Sequence, residues 1–302
     1  MKRVLVLGGS GFVGRAVCKL LAAQQVRITV PTRQSLKDLT QPGSDQVLPQ
    51  VHRVQTNVLD AQALSTVVQG HDVVINLVAI LHGRPAEFEK IHVQLPETLA
   101  RVCAQAGVQH LVQVSALGAD SQGPSLYQRS KGRGEEVLFD SADKTGLAIT
   151  VIRPSVIFGK EDQFLNTFAR IQRFAPFVPL AGAHTRFQPV WVQDVAQALL
   201  KIAQSGPGQH RIYELAGPQV FTLAELVRHA GRWAKRERPV IPLPMWAGKL
   251  QAMMMEALPG QPLMSRDNVD SMRVDNVASG ALPGLHDLDI MPSPLSRVFQ
   301  LQ

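Results

Sequence analysis

Short apolar runs alternate with stretches of helical periodicity through the first half of the chain. Val4 to Leu7 form an unbroken apolar run, the pattern of a strand buried on both faces, and after a glycine-rich turn Val13, Val17, Leu20 and Leu21 recur on one side of a helix. The same reading predicts strands at Arg27–Thr32, Val51–Gln55, Asp72–Val78, His110–Ser115 and Ala148–Arg153, with helices at Ala61–Val68 and Glu87–Ala106. Lys37 to Gln50, polar and containing Pro and Gly, reads as a loop. Beyond Pro154 the pattern loosens. Amphipathic helices are expected at Phe164–Phe174 and Thr222–Lys235, and an extended proline-rich passage at Pro239–Pro244. Between them, Val195–Ala203 and His210–Leu215 return to the first unit as a helix and an edge strand. Strands alternating with helices make an α/β protein: a doubly wound parallel sheet over 1–159 and 190–217, with a smaller, mostly helical substrate-side region over 160–189 and 218–302.

Composition narrows the class. With 45% hydrophobic residues and no run long enough to span a bilayer, a soluble globular protein is expected, cytoplasmic and at most peripheral on the inner face of a membrane. The first strand is read from the start of the sequence, so no signal or transit peptide is expected ahead of it. Cys18 and Cys103 fall in expected helices without CxxC or metal-ligand spacing, so they read as core thiols and no metal is expected. A formal charge of +7 suits an anionic partner: a phosphorylated cofactor, acidic lipid headgroups or nucleic acid. Only 5% of residues are aromatic and no nucleic-acid module is present, so nucleic acid is the least favoured of the three. A merely solubilising basic surface explains the charge equally well.

Candidate chemistry begins at the glycine turn, Gly8-Gly9-Ser10-Gly11-Phe12-Val13-Gly14. Gly8 permits a tight strand-to-helix turn, Gly11 lets backbone approach a pyrophosphate, and Gly14 lets helix and sheet pack closely, with the helix N-terminus facing the phosphates. Following the second strand, Thr32 and Arg33 stand where an NAD site usually carries an acid; no acid occurs before Asp38. A guanidinium fork and a hydroxyl suit a 2'-phosphate, so NADP(H) is preferred over NAD(H). The bland alternative for Arg33 is a solvated loop residue. Asn57 and Val58 follow the third strand where an adenine ring rests, and Leu77, Val78 and Ala79 end the fourth where the riboses pass.

Tyr127 and Lys131 are four apart on the helix after the fifth strand, hence on one face. Lys131 can hold the nicotinamide ribose and lower the pKa of Tyr127 by its charge, making the phenol a general acid/base. Ser115, at the end of the fifth strand, can hydrogen-bond a substrate oxygen. Tyr127 would otherwise be a half-buried packing residue.

Together with Arg153-Pro154-Ser155-Val156-Ile157-Phe158-Gly159, these motifs resemble the extended or atypical short-chain dehydrogenases/reductases. Within them, Asn76-Leu77-Val78, Val114-Ser115-Ala116-Leu117-Gly118-Ala119, Glu161-Asp162, Phe164-Leu165-Asn166 and Phe187-Gln188-Pro189-Val190 resemble the dehydrogenase-like accessory subunit of respiratory complex I and its bacterial relatives. The resemblance covers nearly the whole chain. It implies a Rossmann domain binding NADPH through the glycine turn, with Pro154 in the cofactor set, and a link to ubiquinone through complex I or quinone biosynthesis. His92 departs from the pattern, standing where many extended members carry Asn; it is either part of an altered proton relay or a satisfied helix histidine.

Three readings follow: an NADP(H)-dependent oxidoreductase with a quinone-like or isoprenoid substrate, a non-catalytic nucleotide-stabilised module of a quinone-handling membrane complex, and a nucleotide-sugar epimerase or dehydratase. Trp246 to Leu258, with Met253-Met254-Met255 and few charges, reads first as a helix packed into the protein's own core and second as a methionine-lined groove for an isoprenoid or partner. Lys235, Arg236 and Arg238 nearby are a solvated helix end or a contact for lipid.

Overall fold

Alternate side chains of a strand point to opposite faces, and here both faces are apolar. On the first strand, β1 (Arg3–Leu7), Val4 and Val6 enter one core while Leu5 and Leu7 enter another. A sheet built from such strands must be covered on both sides. The computed structural model describes residues 2–34, 50–206, 212–257 and 264–299. The expected loop at Lys37–Gln50 lies outside the described residues except for Gln50.

Helix α1 (Phe12–Ala23) follows β1, then β2 (Arg27–Thr32), β3 (Val51–Gln55), α2 (Ala61–Val68) and β4 (Val73–Asn76). Next come α3 (Pro85–Glu89), a π-helical turn at Lys90–Gln94, α4 (Leu95–Gln105), β5 (His110–Val114), α5 (Leu126–Thr145) and β6 (Ala148–Pro154). The chain continues through β7 (Ile157–Phe158), α6 (Phe164–Phe174), β8 (Val178–Ala181), β9 (Arg186–Phe187), β10 (Val190–Trp191), α7 (Val192–Ser205) and β11 (Ile212–Leu215). It then runs through β12 (Phe221–Thr222), α8 (Leu223–Trp233), β13 (Val240–Leu243), α9 (Met245–Glu256) and α10 (Arg266–Ser271).

Seven strands form one parallel sheet in the order β3-β2-β1-β4-β5-β6-β11. This is the doubly wound, Rossmann-type order, reversing direction between β1 and β4, where such sheets open a crevice at the strand C-termini. Helices α1 and α7 cover one face, with Val17, Leu21, Val195 and Leu199 buried against Val4, Val6 and Ile75. Helices α2, α4 and α5 cover the other, with Leu64, Leu99 and Leu138 against Leu5, Leu7 and Leu111. Cys18 and Cys103 are buried in α1 and α4, and burial pushes both thiols up to about 12. They are core thiols, as expected.

The remaining strands pair in three short ribbons, β7 with β10, β9 with β12 and β8 with β13. Helices α6 and α8 pack with them around Phe158, Leu165, Leu226 and Phe299. Asn276 fastens this part to the sheet: its Oδ1 accepts the Val156 N–H at 3.0 Å and the Ser155 hydroxyl at 2.7 Å, while its amide donates to the Leu117 carbonyl at 3.3 Å.

Two expectations need correction. The helix foreseen over Glu87–Ala106 is interrupted at Lys90–Gln94. Pro96 has no N–H for the His92 carbonyl, and the ladder widens so that the Leu95 N–H reaches the Lys90 carbonyl. Gly134 on α5 leaves room for the His92 carbonyl; a Cβ there would overlap it. The second correction concerns α9, expected to bury its apolar residues. It buries Gly248 and Ala252 and exposes Trp246, Leu250, Met253 and Met254. Gly248 lies so close to Ala181 of β8 that any side chain would collide with it.

Candidate functional site

The crevice at the C-terminal end of the sheet starts at Gly8. Its φ of +79° is a left-handed conformation natural to glycine, and it turns the chain out of β1. A Cβ at Gly8 would press on the Leu77 backbone, and one at Gly14 would overlap the Gly8 carbonyl and the Gly9 backbone. The Gly11 N–H donates to the Gly8 carbonyl at 3.0 Å, and Gly11 caps α1 without a side chain. The first N–H groups of α1 therefore open onto a turn stripped of side-chain bulk, a fit for a pyrophosphate. Ser10, Phe12 and Val13 belong to this turn; Phe12 reaches Gly159 beyond β7. Arg15 brackets it from outside, donating to the Ser10 carbonyl at 3.0 Å and pairing with Glu161. The motif spacing alone did not single out Arg15.

The neighbouring strand ends carry the other candidates for the nucleotide. Thr32 is buried at the end of β2, its hydroxyl accepting the Gln34 N–H at 3.2 Å, and Arg33 is exposed beside it. Asn57 is exposed after β3 and accepts the Leu59 N–H at 3.1 Å, while Val58 packs against the core. At the end of β4 the buried Asn76 donates to Gln113 at 2.9 Å and accepts the Val78 N–H at 3.1 Å, ending the strand two residues before the expected Val78. Leu77 donates to the Leu7 carbonyl at 3.0 Å, Val78 is half-buried and Ala79 is exposed. Pro154 is buried at the end of β6, its carbonyl accepting the Leu117 N–H at 2.9 Å.

Tyr127 and Lys131 share one face of α5, the Lys131 Nζ lying 5.9 Å from the Tyr127 ring centroid and donating to the Val114 carbonyl at 3.1 Å. That carbonyl belongs to the residue before Ser115, so all three candidates converge where β5 ends. Burial pushes the Tyr127 phenol up to about 12. Burial also pulls the Lys131 ammonium down to about 8, opposed by the charge of Glu135 one turn further along. Ser115 is buried and its Oγ has no hydrogen-bond partner among the described residues. A buried hydroxyl left unpaired is costly; one at the end of β5 suits a ligand oxygen.

His92 is a satisfied histidine, and the relay alternative is not supported. Its Nε2 accepts the Ile80 N–H at 3.1 Å, which assigns the proton to Nδ1, and Nδ1 donates to the Ser130 hydroxyl at 2.8 Å. Ser130 in turn donates to the Tyr127 carbonyl at 2.9 Å. Burial, and secondarily the Lys131 charge, push His92 down to about 2. The ring stands edge-on to Tyr127 with centroids 5.5 Å apart, so it wedges the phenol without titrating.

Two further carboxylates support the site, and the motif spacing did not single out either. Asp267 of α10 accepts the Leu126 N–H at 2.6 Å and the Tyr127 N–H at 3.0 Å at the start of α5. Glu135 is buried and pairs bidentately with Arg153 of β6, Nε lying 3.0 and 3.1 Å from its two oxygens.

Comparison with known proteins bears on the family and the fold. Residues 4–216 match the model of the NAD dependent epimerase/dehydratase family. The chain is 31% identical, over 96% of its length and 76% of the relative's, to the mitochondrial NADH dehydrogenase (ubiquinone) 1 alpha subcomplex subunit 9 of Mus musculus. A Stigmatella aurantiaca protein, the 4-hydroxy-2-methyl-3-oxo-4-farnesyl-3,4-dihydroquinoline-1-oxide ketoreductase, is 26% identical over 68% of this chain and 66% of its own. Among solved structures, the Thermus thermophilus UDP-glucose 4-epimerase in complex with NAD shares the fold at a TM-score of 0.67 and 21% identity, over 90% of this chain and 99% of that one.

Proposed function

The chain belongs to the NAD dependent epimerase/dehydratase family, and from that premise we propose that it is an oxidoreductase of the short-chain dehydrogenase/reductase type, using NADP(H) in preference to NAD(H) on a quinone-like or isoprenoid-bearing carbonyl. The nucleotide half of the fold is 1–159 with 190–217, and 160–189 with 218–302 closes over the substrate. The protein works in the cytoplasm, peripherally on the inner face of a membrane.

One observation carries the catalytic part: the Ser115 Oγ, without a hydrogen-bond partner among the described residues, is buried next to the Val114 carbonyl that holds Lys131, on whose helix face Tyr127 stands. Ser115 and Tyr127 grip the substrate oxygen, and Tyr127 gives it a proton during reduction. Lys131 holds the ribose hydroxyls and stabilises the phenolate that remains. When bound, the reduced nicotinamide supplies the hydride. Support for the substrate class comes from the relatives' names, one a ketoreductase of a farnesylated ring and another a subunit of a ubiquinone-linked dehydrogenase.

The test is NADPH oxidation with prenylated benzoquinones and ring ketones, compared between the protein and Tyr127→Phe. Turnover should fall by about 10²-fold or more while nucleotide binding persists. Equal turnover in the variant would remove Tyr127 from the mechanism.

A second reading has its own support. Burial pushes the Tyr127 phenol up to about 12, away from the range of a general acid/base at neutral pH, and the Mus musculus relative is named as a subunit of a dehydrogenase; both suit a nucleotide-stabilised module of a larger assembly. Tight NADPH retention with no turnover on any carbonyl would favour it. A nucleotide-sugar epimerase or dehydratase is a third reading, supported by the family match over residues 4–216; binding of a nucleotide-sugar would have to be shown for it.

A further inference from the structure

Helix α9 is packed inside out. A surface helix ordinarily buries its large apolar side chains and exposes its small or polar ones. In α9 the buried positions are Gly248 and Ala252, seated on Ala181 and Val269. On the opposite side, Trp246, Leu250, Met253 and Met254, spaced by four, three and one, make one continuous stripe; Trp246 is 71% exposed and Met254 67%. The glycine–alanine seat excludes a simple rotation of the helix, because a tryptophan or leucine side chain has no space against Ala181. Exposure of the stripe is therefore built into the packing.

The β8–β13 ribbon beneath α9 extends this apolar surface. Phe174 is 85% exposed at the end of α6, and Phe177 is exposed one residue before β8, about 13 Å along the strand from the α9 seat. The same end is basic. Arg238 donates to both the backbone and side-chain oxygens of Gln172, which brings it beside Arg173, and Lys235 and Arg236 are exposed at the end of α8. The neighbouring acids are neutralised locally: Glu237 by Arg232, Asp270 by Lys249 and Arg273, and Glu256 by Arg266. Arg173, Lys235 and Arg236 form no ion pair among the described residues.

We propose that this end of the molecule docks on an anionic membrane surface, with α9 lying in the interface, its Trp246–Met254 stripe against the acyl chains and Arg173, Lys235, Arg236 and Arg238 against lipid phosphates. A tryptophan flanked by flexible apolar side chains, with cations at the far end of the ribbon beneath it, matches the interfacial zone, apolar below and anionic above. Among the described residues no helix is long and apolar enough to cross a membrane. The proposal rests on the membrane part of the functional reading and deepens it by naming the surface. It does not depend on turnover.

The test is co-sedimentation of the full chain with vesicles of phosphatidylcholine, with and without phosphatidylglycerol, at low and high salt. NADPH binding is measured on every variant. Binding should require phosphatidylglycerol and weaken with salt. It should fall at least about tenfold in the double variant Trp246→Ser, Leu250→Ser and about fivefold for each cation removed in Lys235→Ala, Arg236→Ala, with nucleotide binding unchanged. No binding to anionic vesicles by a protein that still binds NADPH would overturn the proposal. So would binding indifferent to the α9 substitutions, or a dimer that Trp246→Ser converts to a monomer, which would make a second copy the occupant. Vesicle binding without nucleotide binding would uphold it while removing the catalytic reading.

Discussion

Asp267 holds Tyr127 by the backbone: its carboxylate accepts the Tyr127 N–H at 3.0 Å across 140 residues of sequence, and the Leu126 N–H at 2.6 Å beside it. A negative charge at the start of α5 satisfies donors that have no partner within the helix and complements its dipole. The candidate phenol is thus positioned by the C-terminal region and not by its own helix alone. Asp267→Ala should lower the unfolding free energy by about 1–2 kcal/mol and reduce any turnover, as read by urea denaturation and NADPH oxidation. Unchanged stability would mean that the N-terminus of α5 is held by Ser125 alone.

Two buried histidines make the protein sensitive to acid. Burial pushes His92 from 6.5 down to about 2 and His110 down to about 4. Below about pH 6.5 the unfolded chain takes up protons at these positions and the native chain does not, so stability falls as pH falls. The loss approaches about 1.4 kcal/mol per pH unit per histidine until the native value is reached. No such loss occurs above pH 6.5. Urea unfolding at about pH 7 and about pH 5 should show the difference, and His110→Gln should reduce it.

The glycines separate by what surrounds them. Gly14→Ala places a methyl group against the Gly8 carbonyl and Gly9 backbone, so it should cost about 1–3 kcal/mol and abolish nucleotide binding. Gly107, at a φ of +71° with nothing near its missing Cβ, should cost about 1 kcal/mol as Ala and leave binding intact. Paired thermal melts and NADPH titrations of both variants check the distinction.

Glu135 raises the pKa of Lys131 against the effect of burial, while itself bonded to Arg153. Glu135→Gln removes that charge and leaves Arg153 without its partner, at a cost of about 3 kcal/mol. It should also lower the Lys131 pKa further, so that NADPH binding weakens as pH rises at a lower pH than in the unaltered protein. A binding-versus-pH profile reads this shift separately from the stability loss.

What was legible in the sequence was what depends on neighbours along the chain. Val4 to Leu7 and Val73 to Ile75 read as strands because a strand buried on both faces is apolar throughout, and the limits of β2, β3, α2 and α6 coincide with their expected ones. The glycine turn and the Tyr127–Lys131 pair were visible as spacings. The π turn was not, since it follows from Pro96 withholding a donor from His92 while Gly134 makes room on another helix. The orientation of α9 was misjudged because composition does not say which face meets Ala181. Asp267 and Asn276 act on partners distant in sequence, where no local pattern marks them.

The central claim is a live NADP(H) site, and its most direct test is a fluorescence titration of nucleotide-stripped protein with NADPH and with NADH, repeated on Arg33→Ala. The account predicts clear preference for NADPH that Arg33→Ala removes, with NADH binding little changed. Preference for NADH, or no binding of either nucleotide, would contradict it.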